Sequence, residues 1–383
     1  MKDASGSTRE ERVLVLQGGG ALGAYQAGVY EILAARNLAP NWVAGISIGA
    51  INAALIAGNP PERRVERLHA FWDTVTSSPS QWHVPFALPE HLRSVLNDAN
   101  ATMGALLGLP GFFRPRIPGA PFQPAGSASA LSYYDTDPLR VTLEQLVDFD
   151  RVNSGATRLS VGAVNVCSGN FAYFDTAHQK VDVRHIMASA ALPPGFPPVE
   201  IDGQWYWDGG LVSNTPLQYV LDQPRSGRTL AFQVDLFVAS GPMPQNLLQV
   251  AEREKDIRFS SRTRLNTTNA LDRHAQALAA RRLKAKVTPG ASAEPDVPAL
   301  NAERPGTGIT VVHLIHRRKH YETQSKDYEF SRTSMREHWE AGRADMAHTL
   351  DHPEWQGRAG SEDDVQVFDL ASGIRNHLTR TPA

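Results

Sequence analysis

Cysteine and long apolar runs are both scarce in this sequence. Cys167 is the single cysteine among 383 residues, so an intrachain disulfide is impossible and zinc sites of the Cys₄ and Cys₂His₂ types are excluded. No apolar run approaches the ~20 residues of a membrane-spanning helix, and no apolar signal-peptide core follows Met1. We therefore expect a cytoplasmic protein whose contact with membranes is at most peripheral.

The sequence also lacks an excess of charge of either sign. Its 38 Lys and Arg against 40 Asp and Glu give a net charge of −2, which argues against a nucleic-acid partner for the chain as a whole. Apolar residues make up 42% and charged residues 20% of the chain. This is the composition of an ordinary folded protein and excludes disorder of the whole chain.

Two strand–turn–helix units open the chain. Residues 12–17 form an apolar run that predicts a buried parallel strand; Gly18-Gly19-Gly20 follows, and 21–36 has the apolar spacing of a helix. A second strand is predicted at 41–44, with a glycine-bounded turn and then a helix over 50–57. Two such units predict an α/β domain with a parallel sheet. For the chain as a whole we expect a three-layer α/β/α sandwich with a mainly parallel central sheet and a helical insertion.

The rest of the chain divides by composition. We predict a polar tail over 1–11, a catalytic core over 12–239, a helical insertion and loop over 240–307, a strand and helix over 308–350, and a polar tail over 351–383. Further elements are predicted as helices at 62–75, 244–286 and 328–350 and as strands at 159–164, 169–174, 229–238 and 308–315.

An excursion over 83–134 interrupts the core. Within it, Gly and Pro supply ten of the 23 positions from 104 to 126, among many apolar residues. A segment so rich in helix and strand breakers is not expected to form a regular element. It is either irregular chain packed on the core or a lid over an apolar site.

The turn Gly45-Ile46-Ser47-Ile48-Gly49 has the G-x-S-x-G pattern. A serine nucleophile must project from a sharp turn between a strand and a helix, and Gly45 and Gly49 leave room for that turn. The helix that follows directs its N-terminal dipole and free N–H groups towards developing negative charge. Ser47 is therefore a candidate nucleophile, and a plain glycine turn is the alternative.

Gly18-Gly19-Gly20 allows two interpretations. Glycines after a strand let backbone N–H groups converge on an anion, which in an acyl hydrolase is an oxyanion hole. Together with Gly23 they also fit the dinucleotide fingerprint, but the acid that should follow the next strand is replaced by Ala44-Gly45-Ile46-Ser47. The dinucleotide hypothesis therefore loses most of its support.

A serine nucleophile needs a base. Histidines such as His178, His185, His313, His316 and His320 could supply one, although the glycine turn precedes Ser47 too closely for the α/β-hydrolase arrangement. The other candidate is Asp208, since Gly209 and Gly210 give it a tight turn that can direct a carboxylate into a site. Taken alone, this acid and its glycines are more typical of a hairpin turn.

In combination these blocks resemble the patatin-like phospholipase family. The resemblance rests on Gly18 to Gly23, on Gly45 to Gly49 and on Asp208-Gly209-Gly210, with support from 189–198 and Asn214-Thr215-Pro216. It covers roughly 12–220, and the C-terminal third resembles an extension found in a bacterial subgroup.

The resemblance implies a Ser-Asp dyad without histidine, metal or cofactor. Ser47 would attack an ester, Asp208 would take its proton, and N–H groups around Gly18, Gly19 and Gly20 would hold the oxyanion. Apolar neighbours such as Trp205 and Trp207 are expected to raise the pKa of Asp208. The implied substrate is a lipid or lipid-like ester.

One position departs from the common family pattern. Leu22 stands where an arginine or lysine is frequent, which weakens the expectation of phosphate head groups and leaves room for neutral esters. The alternatives are therefore a carboxylesterase or intracellular polyester hydrolase with the same dyad, and a lipid-binding protein without catalysis.

The predicted insertion is strongly basic. Residues 253–286 contain ten Lys or Arg and three acids, a net +7, and Arg317-Arg318-Lys319 adds to it. The simpler interpretation is a set of solvated helix faces paired with acids elsewhere. The functional one is a peripheral contact with anionic membrane surfaces.

Overall fold

A computed structural model of the chain describes residues 10–78, 89–224, 227–284, 308–317, 322–323, 325–358 and 365–370. Nine of its strands form one sheet, and two short strands form a separate antiparallel pair. The strands are β1 Glu11–Leu16, β2 Trp42–Gly45, β3 Arg114–Pro115, β4 Tyr134–Asp135, β5 Arg158–Asn165, β6 Phe171–Asp175, β7 Val199–Ile201, β8 Gln204–Asp208, β9 Thr229–Asp235, β10 Ile309–Ile315 and β11 Val365–Phe368.

The large sheet is mainly parallel. Its order is β11-β10-β9-β1-β2-β5-β8-β7, with β6 also paired to β5. The strands from β11 to β5 run parallel, whereas β6, β7 and β8 join antiparallel. Because β1 and β2 lie inside the sheet and are covered on both faces, their sequences are nearly continuous apolar runs.

Helices cover both faces of this sheet, which confirms the predicted three-layer α/β/α class. Leu14 and Leu16 of β1 pack towards one helical layer, and Val13 and Val15 pack towards the other. The helices are α1 Gly23–Ala35, α2 Ile48–Ala57, α3 Arg64–Val75, α4 Glu90–Leu107, α5 Asp137–Leu146, α6 Phe149–Val152, α7 Val183–Ser189, α8 Leu217–Asp222, α9 Leu247–Lys284, α10 Arg332–Asp351 and α11 Pro353–Gln356.

The strand register brings two distant segments to the same level. Gly45 at the end of β2 pairs with Val161 of β5, and Ala163, two residues further along β5, pairs with Asp208. The residue two positions beyond Gly45 is Ser47. The antiparallel entry of β8 therefore places Asp208 beside the turn that follows β2.

The excursion differs from its prediction in one respect. Residues 83–88 lie outside the described part of the chain, and 90–107 form the regular helix α4. The glycine and proline content that suggested irregularity begins only at Gly104, so it breaks the helix at its C-terminal end. The remainder, through β3, β4 and two short 3₁₀ turns, is largely irregular.

The C-terminal helix lies directly against the first helix. A Cβ on Gly28 of α1 would collide with the carbonyl oxygen of Trp339, and one on Gly342 of α10 with that of Tyr25. Two facing glycines thus let the backbones of α1 and α10 touch. Tyr25 also donates its hydroxyl to Asp345 Oδ2 at 2.8 Å.

Candidate active site

Ser47 occupies a strained turn between β2 and α2. Its φ of 56° and ψ of −124° are unusual for a residue with a side chain. A Cβ on Gly45 would collide with the carbonyl oxygen of Gly49, and one on Gly49 with that of Leu16. Both positions therefore require glycine, as the motif predicts for a nucleophile elbow.

A second serine supports this turn from the other side. The N–H of Ser47 donates to Ser189 Oγ at 3.1 Å, and Ser189 Oγ donates to the carbonyl oxygen of Gly162 at 2.7 Å. Ser189 is the last residue of α7 and is fully buried. The strained turn is therefore fixed to β5 through two hydrogen bonds.

Asp208 lies next to the Ser47 hydroxyl at the end of β8. Its carboxylate is only 1% exposed, is hydrogen-bonded to the Ser47 side chain, and accepts the N–H of Gly210 at 2.7 Å. Burial raises the pKa of Asp208 to about 7, although both hydrogen bonds act in the opposite direction. A carboxyl that titrates near neutrality is suited to general base work.

The raised pKa of Asp208 agrees with the expectation, but the two residues that were expected to cause it, Trp205 and Trp207, do not lie beside the carboxyl. Trp205 and Trp207 alternate with Asp208 along β8, so their side chains lie on the other face of the sheet. The desolvation comes from the protein interior around the strand end, where a Cβ on Gly209 would lie 3.0 Å from Ile46 Cγ2.

The glycine turn is held in place by Asn214. Asn214 Nδ2 donates to the carbonyl oxygen of Gly18 at 2.9 Å, and the Gly18 N–H donates to the Asn214 carbonyl oxygen at 3.2 Å. A Cβ on Gly18 would come within 2.9 Å of Ser47 Cβ, so the turn lies directly against Ser47. Within the described residues, the N–H groups of Gly19 and Gly20 take no backbone partner.

These groups open into a cavity of 630 Å³. Ser47, Asp208 and Gly18 to Gly20 lie along one part of its wall, and most of the remainder is apolar. Of the described residues that line the cavity, none is a histidine. Aromatic rings dominate the apolar wall: Phe112, Phe113, Tyr134, Phe196, Phe259 and Phe330.

The apolar wall is assembled from remote parts of the chain. Phe112, in the excursion, lies with its ring centroid 5.9 Å from that of Phe196 and 5.6 Å from that of Phe330. Phe259 reaches the same cavity from α9. The excursion, the loop after α7, the insertion and the C-terminal segment therefore share the wall.

Sequence reasoning named Ser47, Asp208 and the glycine turns as candidates but assigned no role to the residues that support them. Ser189 and Asn214 lay within the stretches that carried the family resemblance, and that was the only signal for them. Phe259 and Asp327 carried none, since each reaches the site only through tertiary packing.

Comparison with known proteins gives the family. A family model described as patatin-like phospholipase matches residues 14–221, and a second one, described as patatin phospholipase, matches residues 257–362. No curated protein matches the sequence of this chain.

Similar solved structures are remote. The chain is similar to VipD from Legionella pneumophila, with 14% identity, a TM-score of 0.33, and coverage of 89% of this chain and 70% of that one. A chain of the ExoU-SpcU type III secretion complex of Pseudomonas aeruginosa gives 16% identity, a TM-score of 0.28, and coverage of 76% and 58%. TM-scores this low carry no argument, so the family is assigned from the family models alone. The patatin-like phospholipase model matches more than half of the residues of this chain. The chain therefore belongs to the patatin-like phospholipase family.

Proposed function

We propose that the protein hydrolyses lipid esters with a Ser47–Asp208 dyad through an acyl-enzyme. Membership of a phospholipase family supports lipid ester hydrolysis. The observation that carries the dyad is the hydrogen bond between the Ser47 hydroxyl and the buried Asp208, in the wall of a largely apolar cavity.

In the first half of the reaction, Asp208 takes the proton of the Ser47 hydroxyl while Oγ attacks the ester carbonyl carbon. The carbonyl oxygen becomes an oxyanion, and in this proposal the N–H groups of Gly19 and Gly20 donate hydrogen bonds to it. When the tetrahedral intermediate collapses, the alcohol leaves with the proton held by Asp208. Ser47 keeps the acyl group.

In the second half, water replaces the alcohol. Asp208, ionised again, takes a proton from the water, whose oxygen attacks the acyl carbon. Collapse of this intermediate breaks the bond to Ser47 Oγ, and the proton on Asp208 returns to the serine. The products are a carboxylic acid and the free enzyme.

The cavity favours an apolar acyl group. Its aromatic wall offers burial to a hydrocarbon chain, and burial contributes roughly 0.8 kcal/mol per CH₂ group. Leu22 is fully buried and brings no charge to the glycine turn. We therefore propose that the acyl chain decides recognition more than an anionic head group, so neutral esters are also substrates.

Peripheral contact with anionic membranes remains a separate proposal. Of the ten basic residues in 253–286, four have described side chains, and each has a protein partner. Arg253 donates to the Ala239 carbonyl, Lys255 pairs with Asp327 at 2.7 Å, Arg258 lies 3.7 Å from Glu254, and Arg273 donates to Gln218. The structure does not describe the other basic groups, namely the side chains of 262, 264, 281, 282 and 284 and residues 286, 318 and 319. Vesicle pelleting tests the proposal: equal binding with and without anionic lipid would contradict it.

No helix within the described ranges combines the length and the hydropathy that crossing a bilayer requires. The 38-residue α9 is long enough, but it is polar along much of its length.

The dyad is tested with a fluorophosphonate probe and an ester panel. Wild type should bind the probe covalently and hydrolyse p-nitrophenyl esters and phosphatidylcholine. Ser47→Ala should lose both properties, and Asp208→Asn should lose at least about 100-fold in kcat/KM.

Two exposed residues provide matched controls. Ser168→Ala and Asp202→Asn make the same chemical changes at exposed positions, and both should retain wild-type rates. Full activity in Asp208→Asn with loss in His185→Gln would overturn the dyad. Absence of labelling in wild type would instead favour a lipid-binding protein without catalysis, and esterase activity without phospholipid turnover would favour the carboxylesterase.

A further inference from the structure

Three metal-ligating side chains meet in the protein interior, apart from the catalytic dyad. His316 directly follows β10, Glu322 lies in the segment after it, and His338 lies in α10. All three are buried, and one ligand atom from each lies within 4.8 Å of the others. It is the one such group of three or more that the described residues form.

The distances between these atoms suit a small metal ion. His338 Nε2 lies 3.0 Å from Glu322 Oε1, and His316 Nε2 lies 3.5 Å from Glu322 Oε2. In a tetrahedral zinc site with bonds of roughly 2.0–2.1 Å, neighbouring ligand atoms are about 3.4 Å apart. The imidazole rings stand at 75° to each other with centroids 5.0 Å apart.

The histidines also contain buried nitrogens that no protein group in the described part of the chain satisfies. Nδ1 of His316 and Nδ1 of His338 have no hydrogen-bond partner there, and the contact of His316 Nε2 with Glu322 Oε2 is long, at 3.5 Å. Buried polar atoms are normally paired, and a bound ion can satisfy an atom that no protein group reaches. A cation between His316 and Glu322 would be coordinated by the lone pair of His316 Nε2.

We propose that His316, Glu322 and His338 bind a divalent transition-metal ion, with zinc as the best match. Two imidazoles and one carboxylate form a ligand set that zinc uses with a fourth position left to water. Magnesium and calcium prefer oxygen ligands and are disfavoured by two nitrogens. Lys326, a nearby cation that acts on His316, is itself paired with Asp256 at 2.6 Å.

The metal would hold a segment that supports the catalytic turn. Glu322 begins the stretch that carries Asp327, Tyr328 and Phe330, three residues of the cavity wall. The carbonyl oxygen of Asp327 accepts the Ala21 N–H at 2.8 Å and lies so close to Gly20 that only glycine fits there. The role is structural, so the hydrolysis itself still requires no metal.

The test uses the full-length protein and does not depend on hydrolysis. Protein purified without chelators should contain about one zinc per chain by mass spectrometry. After removal of metal with dipicolinate, its melting temperature should fall, zinc should restore it, and magnesium should not. Cobalt(II) added to the metal-free protein should give the visible bands of a four-coordinate site with nitrogen and oxygen ligands.

Two variants and one control complete the design. Glu322→Gln and His338→Gln should each lose the bound zinc and the cobalt bands, whereas the control His313→Gln, which removes a partly buried histidine paired with Asp235 instead, should keep them. Metal-free wild type that binds neither zinc nor cobalt above the level of a folded Glu322→Gln protein would overturn the proposal. The three side chains would then be a buried ion-pair network. If a variant fails to fold, the wild-type zinc content and cobalt spectrum still decide.

Discussion

Two carboxylates in this protein are almost equally buried, but their pKa values are shifted in opposite directions. Asp208 faces only neutral donors, the Ser47 hydroxyl and the Gly210 N–H, and burial raises its pKa to about 7. Glu322 lies between two imidazoles; although burial alone would raise its pKa, His316 and His338 hold it well below the usual range. Charged neighbours, rather than depth, thus decide whether a buried acid is available as a base.

The largest expected effect concerns the pH dependence of hydrolysis. Since Asp208 must be ionised to accept a proton, kcat/KM on a soluble ester should rise about tenfold per pH unit up to about 7 and then level off. The measurement is a pH–rate profile with p-nitrophenyl butyrate between pH 4.5 and 9. A profile that is flat down to the pKa of free aspartate, about 3.9, would show that burial does not control this acid.

Stability provides the sharpest contrast between the two acids. Folded Asp208 holds a proton that the unfolded chain releases near pH 3.9, so the free energy of unfolding should fall as pH rises from about 4 to about 7. Asp208→Asn removes this cost and should raise the free energy of unfolding at pH 8 by roughly 2 kcal/mol.

Glu322→Gln should act in the opposite direction. In the metal-free protein the pKa of Glu322 is depressed, so the stabilisation from its ionised form is fully present at pH 8 and is lost only in acid. Its loss should lower the free energy of unfolding by about 3 kcal/mol. Urea denaturation of both variants at pH 5 and pH 8 measures these changes, and equal signs at pH 8 would contradict the comparison.

A smaller effect on kcat/KM is expected from removing a neutral hydrogen bond that holds the glycine turn near Asp208. Asn214→Ala removes the donor to the Gly18 carbonyl and should lower kcat/KM about tenfold, the equivalent of one hydrogen bond. The change should lie in kcat if the turn holds the oxyanion, as proposed, rather than the acyl chain. Asn269→Ala, an exposed position on α9, is the control, and an equal loss there would remove the positioning role.

The smallest effect concerns exposed rather than buried groups. Ile117 and Phe122, between β3 and β4, are 93% and 82% exposed, and apolar side chains so exposed are suited to a lipid surface. Ile117→Ser with Phe122→Ser should lower hydrolysis of vesicle phospholipid about threefold, with no change on a soluble ester. Val141→Ser, at an exposed apolar position on α5 outside the basic segment, is the matched control. A loss on both substrates would mean that the pair supports the fold instead.

Local sequence was sufficient where a structural feature lies within one turn. The elbow at Ser47 and the turn at Gly18 each need their glycines within five residues, so spacing alone predicts them. Asp208 needed the resemblance, because an acid followed by two glycines is ordinary by itself. The two opening strand–turn–helix units appear as predicted, within a few residues at their ends.

Local sequence could not predict contacts between segments that are remote in the chain. Asp327 meets Gly20, and His316 meets Glu322 and His338, only after β10 and α10 have packed on the core. The helix α4 was missed because the breakers at its C-terminal end dominated the interpretation of the excursion. The edge strand β11 has four residues, and its partner β10 lies some fifty positions earlier.

The contact of α1 with α10 has a consequence for biosynthesis. The N-terminal helix leaves the ribosome about 300 residues before the helix that covers it, and β1 must likewise await β9 on one side. During translation the nascent chain therefore exposes apolar surface that chaperones would recognise. Truncation before Gly342 would leave that surface exposed for the lifetime of the protein, so loss of the C-terminal region should reduce soluble yield even though Ser47 and Asp208 are retained.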